Sequence, residues 1–203
     1  MPRQRAETRE RVLDAAERLF LTRGYLAVTI DDIAEKAGFT RGAVYSSFAG
    51  KEDVFAAVGQ RRRDRALAAG TEAVRTAATD EARLRGLGRW LAQQVERGRD
   101  WAVAELEFFA AVAKDPQWMT QVAELRSANQ RQLAAFLDEQ CQALGVESPF
   151  DADELATIVA ALASGLLFEW MFDVTVDVGR IFTDVFVQLL TGADRADTPQ
   201  EVI

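Results

Sequence analysis

Apolar positions recur at helical spacing in successive blocks along the chain, and the blocks predict an all-α protein. A first helix carries Val12, Leu13, Ala16, Leu19 and Phe20 on one stripe and closes at Gly24. A second opens at Thr29, with Asp32 in capping-box register, and turns Ile30, Ile33, Ala34 and Ala37 inward before Gly38 ends it. Thr40 can cap a third helix, Arg41 to Ser47, which is too short to persist alone and must be held by Val44 and Phe48. Lys51, Glu52 and Asp53 begin a fourth, whose Val54, Phe55 and Val58 pack back on the first three.

Helical periodicity continues from about Glu81. Trp90, Leu91 and Val95 form one face up to Gly98, and Asp100 can cap the next helix, with Trp101, Glu105, Phe108 and Val112 on one stripe and Phe109 beside it. Asp115-Pro116 interrupts the pattern before a long helix from about Gln117 to Leu144. Asp151 and Asp153 start a last hairpin. Its first helix runs through Leu155, Ile158, Val159, Leu162, Leu166, Leu167, Trp170 and Met171, its second through Ile181, Phe182, Val185, Phe186, Leu189 and Leu190. Both are apolar over more than one face, so they lie centrally or meet a second subunit. Ala161, Ser164 and Gly165 would let a partner helix approach closely. Residues 193–203 read as a disordered tail.

The short third helix leaves Arg41, Gly42, Ala43, Tyr45, Ser46 and Ser47 free of the core, and this pattern reads as a helix-turn-helix presented to double-stranded DNA. Arginine can fork onto the two acceptors of guanine, and small residues allow close approach to base edges. Hydroxyls suit phosphate oxygens, and Lys51 would meet phosphate with both its ammonium and the helix start behind it.

Thr-x-x-Asp-Ile-Ala, Ala-Gly-Phe-Thr-Arg-Gly-x-Val-Tyr and Phe-x-x-Lys-Glu-Asp-x-Phe together resemble the DNA-binding domain of TetR-type (tetracycline-repressor-like) regulators. The resemblance covers roughly the first quarter of the chain. It implies a three-helix DNA-binding domain at residues 1–50 and a larger helical ligand-binding and dimerisation domain at 51–192. DNA contacts would come from Thr29, Thr40, Arg41, Gly42, Ala43, Tyr45, Ser46, Ser47 and Lys51. The family often has histidine or another larger polar residue where this chain has Ser47, and a serine hydroxyl can still bond phosphate. The resemblance further implies a homodimer joined by the last two helices of each subunit, with Leu155, Ile158, Leu162, Gly165, Leu166, Ile181, Phe182, Val185, Phe186 and Leu189 as interface candidates. It also implies a small-molecule effector. Trp101, Glu105, Phe108, Phe109, Trp118, Phe136, Phe168 and Trp170 are candidates to line its pocket, although plain core suits each aromatic taken singly better. Glu105, amid aromatic neighbours, must find a partner, either a cationic ligand or, by preference, Arg126 or Arg131 of the long helix.

Composition narrows the alternatives. The sequence has no histidine and a single cysteine, Cys141, which removes Ser-His-Asp and Cys-His catalysis, an intrachain disulfide and multi-cysteine metal sites. Gly86-Leu87-Gly88 follows no strand and lacks the third glycine of a dinucleotide loop. No catalytic residue, metal or cofactor is expected. The longest apolar run, Val159–Phe168, is short of the ~20 residues that cross a bilayer, so the expectation is a soluble cytoplasmic protein with no membrane partner. The net charge of -8 is unevenly spread. Residues 1–65 hold 13 Lys and Arg against 10 Asp and Glu, and the remainder 11 against 22, or +3 and -11. A weakly basic head can meet phosphate while the acidic remainder discourages nonspecific coating of DNA. Arg3, Arg5, Arg9 and Arg11 form either a DNA-reaching arm or a solvated terminus, and Arg61, Arg62, Arg63 and Arg65 read as a solvated face.

Overall fold

The computed structural model describes the backbone of residues 2–75 and 79–192, and the side chains of residues 6–72 and 79–192. The described residues form nine α-helices and no strand: α1 (Pro2–Arg23), α2 (Ile30–Ala37), α3 (Arg41–Tyr45), α4 (Lys51–Arg75), α5 (Asp80–Arg97), α6 (Arg99–Val112), α7 (Pro116–Leu144), α8 (Ala152–Phe172) and α9 (Val178–Thr191). The expected tail at 193–203 lies outside the described residues.

The helices gather into two compact units, residues 1–64 with 98–123, and residues 65–97 with 124–203. The first unit holds α1 to α3, the start of α4, and α6. Its core is aromatic: Phe55 stacks on Trp101 at 4.5 Å and on Phe108 at 4.7 Å, and Phe20 and Tyr25 meet Phe55 edge-on at 5.1 Å each. Gly59 keeps α4 thin where Trp101 passes, since a Cβ there would stand 3.2 Å from the indole.

Arg61 and Arg62 are not a solvated face. Arg61 is only 11% exposed and reaches Glu10 (3.2 Å), Asp14 (2.9 Å) and Glu17 (2.8 Å), while Arg62 bonds the same Glu17 at 2.8 Å and lies over Trp101. Three carboxylates on successive turns of α1 thus tie α4 to α1. Arg63 is half-buried beside Glu105. Burial lowers its pKa, and the Glu105 charge opposes that shift. Glu105 therefore has its cation within its own unit, whereas Arg126 and Arg131 are exposed.

The second unit packs α5 against α9, with α8 and α7 alongside, around Leu87, Leu91, Leu137, Leu155, Phe182 and Phe186. Gly88 lets the two helices close, as a Cβ there would meet Thr183 at 3.2 Å. Gly70 is the seat of the Trp90 indole, whose ring carbons lie 2.6 to 2.8 Å from where a Gly70 Cβ would be. Helix α8 is capped by Asp151 and Glu154 in a reciprocal box, yet it buries only Leu155, Ala156 and Val159. It is therefore not central within the chain. Over its full 21 residues α8 has the length and composition of a membrane-crossing helix, more than the Val159–Phe168 run alone suggests. Its acidic first turn and its packing through Leu155 and Val159 against α9 and α5 fit a helix of a folded unit.

Candidate DNA interface

The head that carries the interface is fixed by local chemistry at each helix end. Thr29 accepts the Asp32 N–H while the Asp32 carboxylate accepts the Thr29 N–H, closing the capping box at α2. The Thr29 hydroxyl also donates to that carboxylate, and this bond first, then the Thr29 N–H and Arg23 at 3.0 Å, holds the Asp32 carboxyl down at about 2. Gly38 ends α2 in the left-handed region, φ 74°, and the Phe39 N–H returns to the Ala34 carbonyl at 2.9 Å. Arg11 also donates to the Ala37 carbonyl at 2.9 Å while lying over the Phe39 ring, and Arg9 lies over Phe48. Both arginines are thus occupied in the head rather than in a free arm, and the side chains of Arg3 and Arg5 lie outside the described residues.

Helix α3 spans five residues, two fewer than the sequence pattern suggested, because Ser46 already caps it and Ser47 turns away. Val44 is its only buried residue. Thr40 caps it by accepting the Ala43 N–H, and Ser46 donates to the Ala43 carbonyl at 2.7 Å. Arg41, Gly42, Tyr45 and Ser46 are exposed, with Ala43 and Ser47 half-exposed. Residues 41–47, Val44 excepted, thus stay outside the core, while Thr29 caps α2 and Lys51 opens α4.

Arg41 and Lys51 both have partners within the chain. Arg41 donates to the Asp31 carboxylate at 3.3 Å and to the Tyr45 hydroxyl at 3.3 Å, and these two partners raise its pKa, the Tyr45 bond foremost. Lys51 is half-buried. Its ammonium donates to the Tyr25 carbonyl at 3.1 Å and sits 4.1 Å over the Tyr25 ring. Burial lowers its pKa, offset in part by Glu52 and Glu107. The Tyr25 hydroxyl, bonded to Glu52 at 2.9 Å, is itself pushed up by burial.

With this geometry in place, the amino-terminal match is informative: residues 12–58 fit the profile described as bacterial regulatory proteins, tetR family. Residues 80–192, more than half of the chain, fit the profile for the carboxy-terminal part of BetI-type transcriptional repressors. The chain belongs to the TetR family. Both profiles are named for transcriptional regulators, and the curated relatives named next are regulators too, the first matched over about a quarter of its length. It is 54% identical over 52 residues to the regulator SrpR of Pseudomonas putida, covering 26% of this chain and 24% of SrpR. The repressor Rv1474c of Mycobacterium tuberculosis is 28% identical over 166 residues, 80% of this chain and 81% of that protein. A TetR-family regulator from Rhodococcus sp. shares the fold with a TM-score of 0.71 at 22% identity, covering 92% of this chain and all of that one (100%). The SmeT–triclosan complex does so at 0.60 and 22%, covering 89% and 90%.

The residues expected to line an effector pocket are dispersed. Trp101 and Phe108 are buried in the first unit's core with Phe109 and Trp118 against it, and Phe136 is buried in the second unit's core with Trp170 against it. Phe168 is 56% exposed and meets Phe172, 75% exposed, at 4.9 Å. A cleft of about 360 Å³ between α5 and α9 is lined by charged and polar side chains, Arg89, Glu96, Arg180, Thr183 and Asp184 among them, and by none of those aromatics. Of the interface candidates, Leu155, Phe182 and Phe186 are fully buried within the chain and are core residues. Ile158, Leu162, Gly165, Leu166, Ile181, Val185 and Leu189 are exposed or half-exposed.

Proposed function

We propose that the protein is a dimeric repressor that binds a near-palindromic operator and is released by a small, largely hydrophobic effector. The observation that carries the DNA-binding part is the free face of α3, where Arg41, Gly42, Tyr45 and Ser46 are exposed while Thr29 and Thr40 secure the helix starts. In this reading residues 1–50 read DNA. Arg41 reads guanine, Gly42 and Ala43 allow close approach, and Tyr45, Ser46, Ser47 and Lys51 meet phosphates with the hydroxyls of Thr29 and Thr40 beside them.

Residues 51–192 serve effector binding and dimerisation. The dimer would use the apolar stripes that each protomer leaves uncovered, Ile158, Leu162, Gly165 and Leu166 on α8 and Ile181, Val185 and Leu189 on α9. Covering them by a second copy explains why a helix as apolar as α8 is so little buried in one chain. The exposed Phe168 and Phe172 would be partly covered in the same way. A dimer places two recognition helices in successive major grooves about 34 Å apart. An effector releases most of the operator only if it prefers the non-binding conformation by on the order of 10² to 10⁴ in affinity. Triclosan, bound by SmeT, is an example of the hydrophobic class proposed. The protein would work in the cytoplasm, without catalysis.

Selection of bound fragments from random DNA by the purified protein tests the operator and dimer parts of this reading. An enriched near-palindrome bound by two chains supports it. Weak, salt-sensitive binding with no enrichment would overturn it.

A further inference from the structure

Helix α6 is no part of the helix-turn-helix, yet its Glu107 enters the turn between α1 and α2. Glu107 Oε2 accepts the Leu26 N–H at 3.0 Å, joining residues 81 positions apart. The turn is shaped for this carboxylate. Gly24 has φ +75°, and a Cβ on it would stand 2.5 Å from Glu107 Oε2. Between Gly24 and Leu26 lies Tyr25, whose carbonyl and ring hold the Lys51 ammonium. The Tyr25 ring also packs edge-on against Phe108, the neighbour of Glu107, at 5.3 Å. The backbone that Glu107 grips is thus the backbone on which Lys51 rests.

We propose that Glu107 is a positioning residue for DNA binding: from α6 it clamps the 24–26 turn and so sets the Lys51 ammonium toward phosphate. The proposal rests on the reading of Lys51 as a phosphate contact. A backbone amide held by a carboxylate is a strong, directional bond, and the Leu26 N–H and the Tyr25 carbonyl are two ends of one peptide unit, so holding the first orients the second. Loss of the clamp frees the Tyr25 carbonyl to shift, and Lys51 then loses its seat.

The test uses the full chain and the operator found by selection, with binding titrated at several salt concentrations. Lys51→Ala is expected to weaken binding to all sequences and to lower the salt slope by about one phosphate contact. Glu107→Ala is expected to weaken operator binding roughly tenfold when Lys51 is present and less than about twofold in the Lys51→Ala background, the mark of two residues acting as a unit. Glu107→Asp keeps the charge but falls one methylene short of Leu26, so it should resemble Glu107→Ala. Glu107→Gln keeps an acceptor and should stay near wild type. Equal losses from Glu107→Ala in both backgrounds would reduce Glu107 to a stability residue and overturn the proposal. So would a Glu107→Asp protein with wild-type binding. A Lys51→Ala protein with unchanged affinity and slope would instead refute the phosphate role of Lys51, and the proposal with it, which separates the two failures.

Discussion

Asp31 on α2 accepts a hydrogen bond from Arg41 on α3 at 3.3 Å, with both side chains more than half exposed. An arginine that is to fork onto guanine is therefore already engaged by a carboxylate on the same surface. Phosphate and base must displace that carboxylate, and its charge also repels the DNA backbone. Asp31→Asn is expected to tighten binding roughly two- to fivefold, the scale of an exposed ion pair, and to do so for nonspecific DNA as well. Arg41→Ala is expected to cost roughly ten- to a hundredfold on the operator and much less on random DNA. Paired titrations on operator and scrambled duplex check both, and wild-type operator affinity for Arg41→Ala would sink its assignment.

Asp32 supplies a pH dependence with a definite sign. Its carboxyl is held at about 2, below its ordinary value of 3.8, first by the Thr29 bonds and then by Arg23. A group whose folded value is depressed contributes fully above its unfolded value and loses that contribution as pH falls through the folded one. The stability contributed by Asp32 should therefore be complete above about pH 4 and vanish towards about pH 2. Denaturant unfolding at a series of acidic pH values should show a shallower decline over that window for Asp32→Asn than for the natural chain.

Gly70 and Trp90 make a prediction whose sign reverses. Alanine normally stabilises a helix interior by ~1 kcal/mol over glycine. Here the new Cβ would lie 2.6 Å from the Trp90 ring, and the overpacking cost of ~1 to 3 kcal/mol exceeds that gain. Gly70→Ala alone should lower stability, while the same change introduced into a Trp90→Leu protein should raise it. Thermal unfolding of the four proteins decides.

Val185, 38% exposed, lies on the same stripe of α9 as Ile181 and Leu189. A charge placed there, Val185→Glu, is expected to turn the proposed dimer into monomer in sedimentation while helical content is kept, because Phe182 and Phe186 on the inner face are untouched. Persistent dimers would move the interface off α9.

What the sequence made legible was set by distance along the chain. The capping box at Thr29 and Asp32, the left-handed stop at Gly38, the cap at Asp151 and the break at Pro116 are all decided within a few residues, and each is present. Periodicity likewise identifies Ile33 and Val44 as inward. It could not say which of two apolar stripes on α9 faces the protomer's own core, so Phe182 and Phe186 were grouped with Ile181 and Val185. The arginines of α4 looked solvated because their partners Glu10, Asp14 and Glu17 lie 44 to 51 residues away. Glu107 gave no signal at all, its partner being a backbone amide.

The brevity of α3 bears on how such a protein changes over time. Only Val44 of its five residues belongs to the core, and the caps at both ends are supplied by Thr40 and Ser46. Gly42, Tyr45 and Arg41 can then be exchanged with little penalty to folding, so, if α3 reads DNA as proposed, its specificity can drift to new operators while the scaffold is left intact. Reprogramming the DNA sequence recognised should accordingly need only a handful of substitutions on one turn and a half of helix, with no compensating change elsewhere in the fold.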